Sequence, residues 1–311
     1  MVPETLAGSR LDQALAQMFP DYSRSRLKSW LLDGAIRVDG LAHKPRDRVH
    51  GGELVEVDIV PDAGTTAEPE LIALDVVYED EALLVIDKPP GLVVHPGAGN
   101  PTGTLMNGLL HHSEALAQLP RAGIVHRLDK DTGGLLLVGK TLASHTALVR
   151  MLAGRQILRR YVAVCCGVLT GGGTIDAPIG RHPVDRTRMA VRTDGRPAVT
   201  HYTVRERYRA HSFVDVRLET GRTHQIRVHF AARRHPLLGD PVYGGRLALP
   251  AGASEALVEV LRRFRRQALH ASRLELAHPV SGEPLRFDSC VPEDFELLLE
   301  VLRQDAACQS R

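Results

Sequence analysis

The chain lacks almost everything that would place it in a membrane or outside the cell. No apolar run approaches the ~18 residues of a spanning helix, and the longest, such as residues 82–86 and 135–138, are short, which excludes a membrane span. The N-terminus, MVPETLAGSR, has neither the basic start nor the apolar stretch of a secretory signal. Only four cysteines occur, Cys165, Cys166, Cys290 and Cys308, with no disulfide framework and no CxxC pair, so a reducing cytoplasm is expected. Metal vocabulary is missing too. Among fifteen histidines there is no HExxH, the adjacent His111 and His112 would diverge, and Cys165 and Cys166 on a strand would face opposite ways. No repeat recurs at solenoid periods. Charge of one sign is also lacking: 39 Lys and Arg against 37 Asp and Glu give +2. That excludes binding nucleic acid by global charge alone, but not by a local patch.

What is present is a globular composition, 43% hydrophobic and 24% charged over 311 residues, enough for one large domain or two unequal ones. Its neutrality is a cancellation. Residues 121–160 carry eight basic and two acidic side chains, and residues 181–234 thirteen arginines and five acids. Residues 49–87 hold eleven acids and no Lys or Arg, and the tail from Glu283 has seven acids against three arginines. Two central stretches of that density point to a phosphate-contacting face.

Residues 61–70, PDAGTTAEPE, are polar, proline-bearing and aperiodic, and read as a linker between modules at 9–60 and 71–311. In the first, Leu11, Leu15, Met18 and Phe19 recur at helical spacing behind Ser9, a candidate N-cap. A second helix starts near Ser23, carries Arg24, Arg26 and Lys28, and meets a glycine, Gly34, at its end. Asp39-Gly40 signals a tight turn, and residues 54–59 alternate as a strand. This helix–helix–hairpin unit resembles the S4 RNA-binding domain through SRLDQAL, SRSRLKSWLLDGAIRVDG and GGELVEVD, and the resemblance makes Arg24, Arg26 and Lys28 RNA contacts.

The larger module shows strand signals at 76–78, 83–86, 135–138, 161–166 and 213–218, helices near 142–152 and 254–266, and a Pro/Gly-rich loop at 88–104. Strands and helices do not alternate regularly. The expectation is an α+β protein: a small S4-like domain, then a mixed, largely antiparallel sheet flanked by helices and loops. The tail RQDAACQSR fits no pattern and is expected to fray.

Two motifs mislead. GLLLVGKT (134–141) satisfies the Walker A expression and LLVID (83–87) resembles Walker B, but Leu-Leu-Leu-Val is a buried strand rather than an anion-wrapping loop, and the order is reversed. DKDTG (129–133) mimics the DxDxT box of Mg²⁺-dependent haloacid-dehalogenase phosphatases. That box should end a buried strand and needs further acids, whereas His126 and Arg127 interrupt the strand and Asp240 stands alone.

HRLDKDTGGLLLVGKT (126–141) is similar to the catalytic motif of the RluA-type pseudouridine synthases. KPPGLVVHPG (88–97), RRYVAV (159–164), LETGRTHQIRVH (218–229) and HPLLGDPVYGG (235–245) fit the same family. The resemblance implies cofactor-free isomerisation of specific uridines in large-subunit (23S) ribosomal RNA, free or in a pre-ribosomal particle, by a cytoplasmic and monomeric enzyme. Asp129 then acts at C1′, with Asp131 as rival. Arg227 keeps it ionised, with Arg222 as competitor and better suited to a phosphate. Arg127 takes the place of the flipped base, Tyr161 stacks on it, His126 lies at the RNA-binding motif, and Leu238 supplies an apolar wall. Without the resemblance, Asp129 reads as a turn residue, Tyr161 as core, and Arg227 as an outward residue on a strand at 226–229. A non-catalytic RNA-binding assembly factor and a Mg²⁺-dependent phosphatase are the alternatives.

Overall fold

The structure, a computed structural model, describes residues 1–19, 24–57, 67–97, 99–185 and 187–308, without the side chains of Ser25 and Arg26. Most of the expected linker, the end of the expected 54–59 strand and Ser23, where the second helix is expected to start, thus lie outside the described residues, as does the Arg26 side chain.

In the N-terminal module, α1 (Leu11–Met18) and α2 (Arg24–Leu32) accompany a ribbon of β1 (Ile36–Val38) and β2 (Val55–Val57). Leu11, Leu15, Leu27, Trp30 and Ile36 form its buried core. Ser9 is not the N-cap. Arg10 holds that position without a side-chain cap, and its guanidinium pairs instead with Asp12 at 3.0 Å. Asp39 and Gly40 both have positive φ, 51° and 75°, the twist of a two-residue hairpin turn. The turn brings Leu41 back onto Val38, and β2 arrives only after a further loop.

The large module is a nine-stranded sheet. Its strands are β3 (Val76–Glu79), β4 (Leu83–Lys88), β5 (Gly133–Gly139), β6 (Leu158–Cys166), β7 (Gly173–Asp176), β10 (Val199–Arg207), β11 (His211–Leu218), β12 (Leu269–Ala277) and β13 (Pro284–Asp288). Order runs β3-β4-β5-β12-β6-β11-β10-β7, with β13 on β12. A separate hairpin pairs β8 (Ile179–Arg181) with β9 (Met189–Val191). All these pairings are antiparallel except β5 with β12, so the sheet is mixed and largely antiparallel.

Both sheet faces are covered, which is why the central strands read as apolar runs. Leu84, Ile86, Leu136 and Val138 enter a core with α3 (Leu105–His112), while Leu83, Val85, Leu135 and Leu137 enter another with α4 (Leu142–Ala153). On β6, Tyr161, Ala163 and Cys165 point into the first core; Val162 and Val164 point toward α6 (Glu255–Arg263) and α7 (Glu293–Cys308). GLLLVGKT is therefore a buried strand. Its Lys140 pairs with Glu79 at 2.7 Å, and Thr141 caps α4 by accepting Ser144 N–H at 3.1 Å.

Two expectations need correction. The tail is helical through Cys308, because Asp305 is buried where its carboxylate accepts from Arg209 and from Ser254 N, while residues 309–311 lie outside the described set. Residues 226–229 are not a strand but part of α5 (Gln225–Ala232), fastened by polar side chains one turn apart. Gln225 Nε2 donates to Val199 O at 3.0 Å, and His229 Nδ1 meets Thr200 Oγ1 at 2.9 Å. Ile226 and Phe230 fill the core between them.

Among the described residues, no helix is long and apolar enough to cross a membrane.

Candidate active site

β5 touches β12 only through Gly133 and Gly134, and a cleft opens beside this short parallel contact. Gly134 has φ +111°, and a Cβ there would lie 2.3 Å from Ala271 O, so only glycine allows the approach. The loop entering β5 is thereby tethered at one end. His126 Nε2 accepts Leu137 N–H at 3.0 Å, and Asp129 O accepts Thr132 N–H at 3.0 Å. Gln267 Nε2 donates to Thr132 Oγ1 at 2.9 Å.

Lys88 anchors the same loop from below. Fully buried, its ammonium donates to Pro89 O at 2.8 Å and to Leu92 O and Lys130 O at 2.9 Å each. Burial pulls its pKa down to about 8, against the opposing charges of Asp131 and Asp129. Lys88→Met removes three donors at once. Leaving buried carbonyls unsatisfied costs ~1–3 kcal/mol each, so we expect a Tm lower by ~5–20 °C in calorimetry. An unchanged Tm would show that the carbonyls find other donors.

Above this loop Asp129 meets α5. Arg227 Nη1 donates to Asp129 Oδ2 at 3.1 Å. Its other edge grips Asp240: Nε to Oδ2 at 2.7 Å and Nη2 to Oδ1 at 2.8 Å. Asp240 also accepts Val242 N–H at 2.9 Å and Tyr243 N–H at 3.0 Å. Arg227 and Asp240 are buried, whereas Asp129 keeps 16% side-chain exposure, enough to face a ligand. Burial works against the Arg227 charge, but its bonds to Asp240 and the neighbouring Asp129 outweigh it and raise its pKa. Burial likewise opposes the Asp240 charge, yet Arg227 holds that carboxyl below the usual range. The guanidinium is thus fixed on one side and offers its remaining edge to Asp129.

His224 opens α5 in a left-handed conformation, φ 56°, with Nε2 3.8 Å from Asp129 Oδ1. Its Nδ1 lies 2.9 Å from Tyr243 Oη, which accepts Met189 N–H at 2.9 Å. Burial lowers its pKa despite Asp129 nearby, which favours the neutral ring. The Tyr243 ring packs under Arg227 and Arg188, with guanidinium carbons 5.1 and 5.2 Å from its centroid.

The cavity in front of Asp129 is about 500 Å³, room for one nucleotide. Tyr161, 6% exposed, stands on its wall with Leu218, Ile226 and Leu269, and burial raises its phenol pKa. Arg127, exposed, is also on the lining. Arg222 lies there too, but its Nε donates to Pro197 O at 3.1 Å rather than to a carboxylate. Asp131 lies off the cavity and offers its carbonyl to Arg266. The arginine–carboxylate contact at the cavity is made by Arg227 and Asp129, and not by Arg222 or Asp131.

Of the other expected contacts, Leu238 falls elsewhere. Leu238 is 1% exposed in the core with Val162, Val164 and Phe264, because its backbone pairs with Val164 at the far face of β6. His126 lines the cavity, but its Nε2 is committed to Leu137 N–H, and burial with Arg159 nearby brings its pKa to about 3, so it holds the loop as a neutral ring. Arg24 is tied to Asp12 at 2.7 Å, while Lys28 is exposed on the same helix. Asp240, Tyr243 and His224 went unread as site residues. The signal was GDPVYGG, where a buried Asp beside a turn needs a cation.

The basic stretches converge only in part. Arg121, Arg127, Arg155, Arg159, Arg222 and Arg227 line the cavity. Arg205 and Arg209 pair elsewhere, with Asp215 at 2.5 Å and Asp305 at 3.0 Å.

Residues 82–232 match the RNA pseudouridylate synthase family, and residues 9–55 match the S4 domain. A ribosomal large subunit pseudouridine synthase D of Xanthomonas campestris is 57% identical over 307 residues, covering 99% of this chain and 93% of that protein. The protein of the same name from Escherichia coli K12 is 55% identical, over 98% of this chain and 94% of its own. Among solved structures, human RNA pseudouridylate synthase domain containing 4 superposes with a TM-score of 0.58 at 26% identity, covering 73% of this chain and 92% of that one. Human RNA pseudouridylate synthase domain containing 1 gives 0.54 at 26% identity, covering 72% and 85%.

Proposed function

This chain belongs to the RNA pseudouridylate synthase family, and from that premise we propose that it isomerises specific uridines of large-subunit ribosomal RNA to pseudouridine. The observation that carries the reading is the Arg227 bridge between a buried Asp240 and a half-open Asp129 in a nucleotide-sized cavity. Breaking the N1–C1′ bond builds positive charge at C1′, and the Asp129 carboxylate attacks or stabilises that centre. The freed uracil turns, C5 bonds to C1′, the C5 hydrogen leaves as a proton, and N1 takes one up. Arg227 aims Asp129 through the bond from Nη1 to Oδ2. Tyr161 stacks on the extruded base and Arg127 fills the gap it leaves in the RNA.

Lys28 and the exposed part of Arg24 on the S4 domain add phosphate contacts that position the RNA without reading its sequence. We assign action as a monomer in the cytoplasm, without nucleotide cofactor, on ribosomal RNA or a pre-ribosomal particle. Asp129 faces Arg227 and His224 rather than further carboxylates, an arrangement ill suited to share a Mg²⁺ ion as the phosphatase reading requires. RNA labelled with 5-³H-uridine tests the proposal. We expect tritium release proportional to pseudouridine formed, unchanged by EDTA. Tight RNA binding with no release from any transcript or particle would leave an assembly factor instead.

A further inference from the structure

Among the described residues, one buried cation of the cavity has no counterion. Arg159, on β6 two residues before Tyr161, is 7% exposed and lines the cavity. Its Nε is buried without a hydrogen-bond partner, and it forms no ion pair with any described residue. Arg155 pairs with Glu219 at 2.5 Å, and Arg227 holds two carboxylates; Arg121, Arg127 and Arg222 also lack an ion pair, but the first two are exposed and Arg222 is half-buried, so water can solvate them. Room for the guanidinium is built in, since a Cβ on Gly221 would come 2.7 Å from Arg159 Nη1. Its charge also helps keep His126 neutral, after burial itself, so no imidazolium crowds the site. A buried, uncompensated charge is costly, and a fold that retains one at a ligand cavity reserves it for an anion.

Resting on the reading above, we propose that Arg159 is the phosphate anchor of the flipped uridine, binding one of the two phosphodiesters that flank it. Those phosphates are the formal anions a uridine in RNA carries at neutral pH, and a guanidinium matches their oxygens in pairs. Anchoring the backbone beside Tyr161 holds the ribose over Asp129 while the base is free to turn.

The test uses a stem-loop whose target uridine is first located by mapping pseudouridine in enzyme-treated ribosomal RNA. Neutral methylphosphonate then replaces the phosphate on its 5′ or its 3′ side. With the wild-type enzyme, one of the two replacements should lower kcat/KM by about 10- to 100-fold, the size of a lost charge-assisted hydrogen bond. Arg159→Gln should lower kcat/KM on unmodified RNA by a similar factor and show no further loss with that methylphosphonate. Arg159→Lys, which keeps the charge, should remain sensitive to it. The proposal fails if neither methylphosphonate slows the wild-type enzyme, an arm independent of any variant's folding. It also fails if the two losses multiply, which would direct Arg159 at the uracil instead. A wild-type enzyme inactive on unmodified RNA would overturn the functional assignment, a different result.

Discussion

Asp129→Asn abolishes tritium release, lowering kcat by about four orders of magnitude or more, while RNA affinity and Tm stay close to wild type. The magnitude is that of removing the central group of a catalytic unit. Asparagine has the same shape, and its amide oxygen can still accept from Arg227 Nη1, now 3.1 Å from Asp129 Oδ2. What it lacks is the second anionic oxygen, the one that His224 faces at 3.8 Å and that would meet C1′. Asp131→Asn is the matched control. Its carboxylate lies off the cavity, so activity should change by less than about threefold, within the range of surface substitutions. The opposite ranking of the two variants, measured by release from labelled ribosomal RNA, would reverse the assignment.

How much of this was legible varies with the kind of residue. Apolar runs carried the sheet: LLVI at 83–86 and LLLV at 135–138 are strands because both faces are buried, and the false Walker A dissolved on that argument. Asp129, Arg227 and Tyr161 were named by motif resemblance, and the fold brings all three to one cavity. The failures share a cause, which is that side-chain direction depends on distant partners. Ile226 and Val228 alternate like a strand, yet Gln225 and His229 find acceptors on β10 and at Ala177, and those bonds make a helix. His126, named through the HRLD motif, does line the cavity, but its ring serves the loop. Only the fold shows Leu137 N–H waiting for it. Charge counting holds only in part for the same reason: six arginines of the basic stretches line the cavity, whereas Arg205 and Arg209 belong to Asp215 and Asp305 in space.

Separating stability from chemistry at Arg227 gives the other large effect. Arg227→Met leaves Asp240, fully buried, without its cation, and removing one partner of a buried pair costs ~3–5 kcal/mol. Activity should fall by at least about a hundredfold, since Asp129 loses both its aiming bond and the nearby charge. Asp240→Leu alone should be destabilised less, because Arg227 keeps Asp129 as a counterion at 3.1 Å. Combining Arg227→Met with Asp240→Leu removes both buried charges, and apolar replacement of a buried pair is near neutral. The double variant should therefore recover most of the Tm while remaining inactive. Its acid limb should change as well. The Asp240 pKa in the fold lies below its ordinary value of 3.8, because bonds from Arg227 overcome the burial that would raise it. Its stabilisation is therefore complete above pH ~3.8 and is lost as pH falls through the lower folded value. Denaturant titrations at pH 7 and near pH 3 should show that loss in the wild-type protein and a smaller one in the double variant. A double variant as unstable as either single one would mean that Asp240 serves chiefly to hold Val242 N–H and Tyr243 N–H, and that the Arg227 bridge is secondary to that turn.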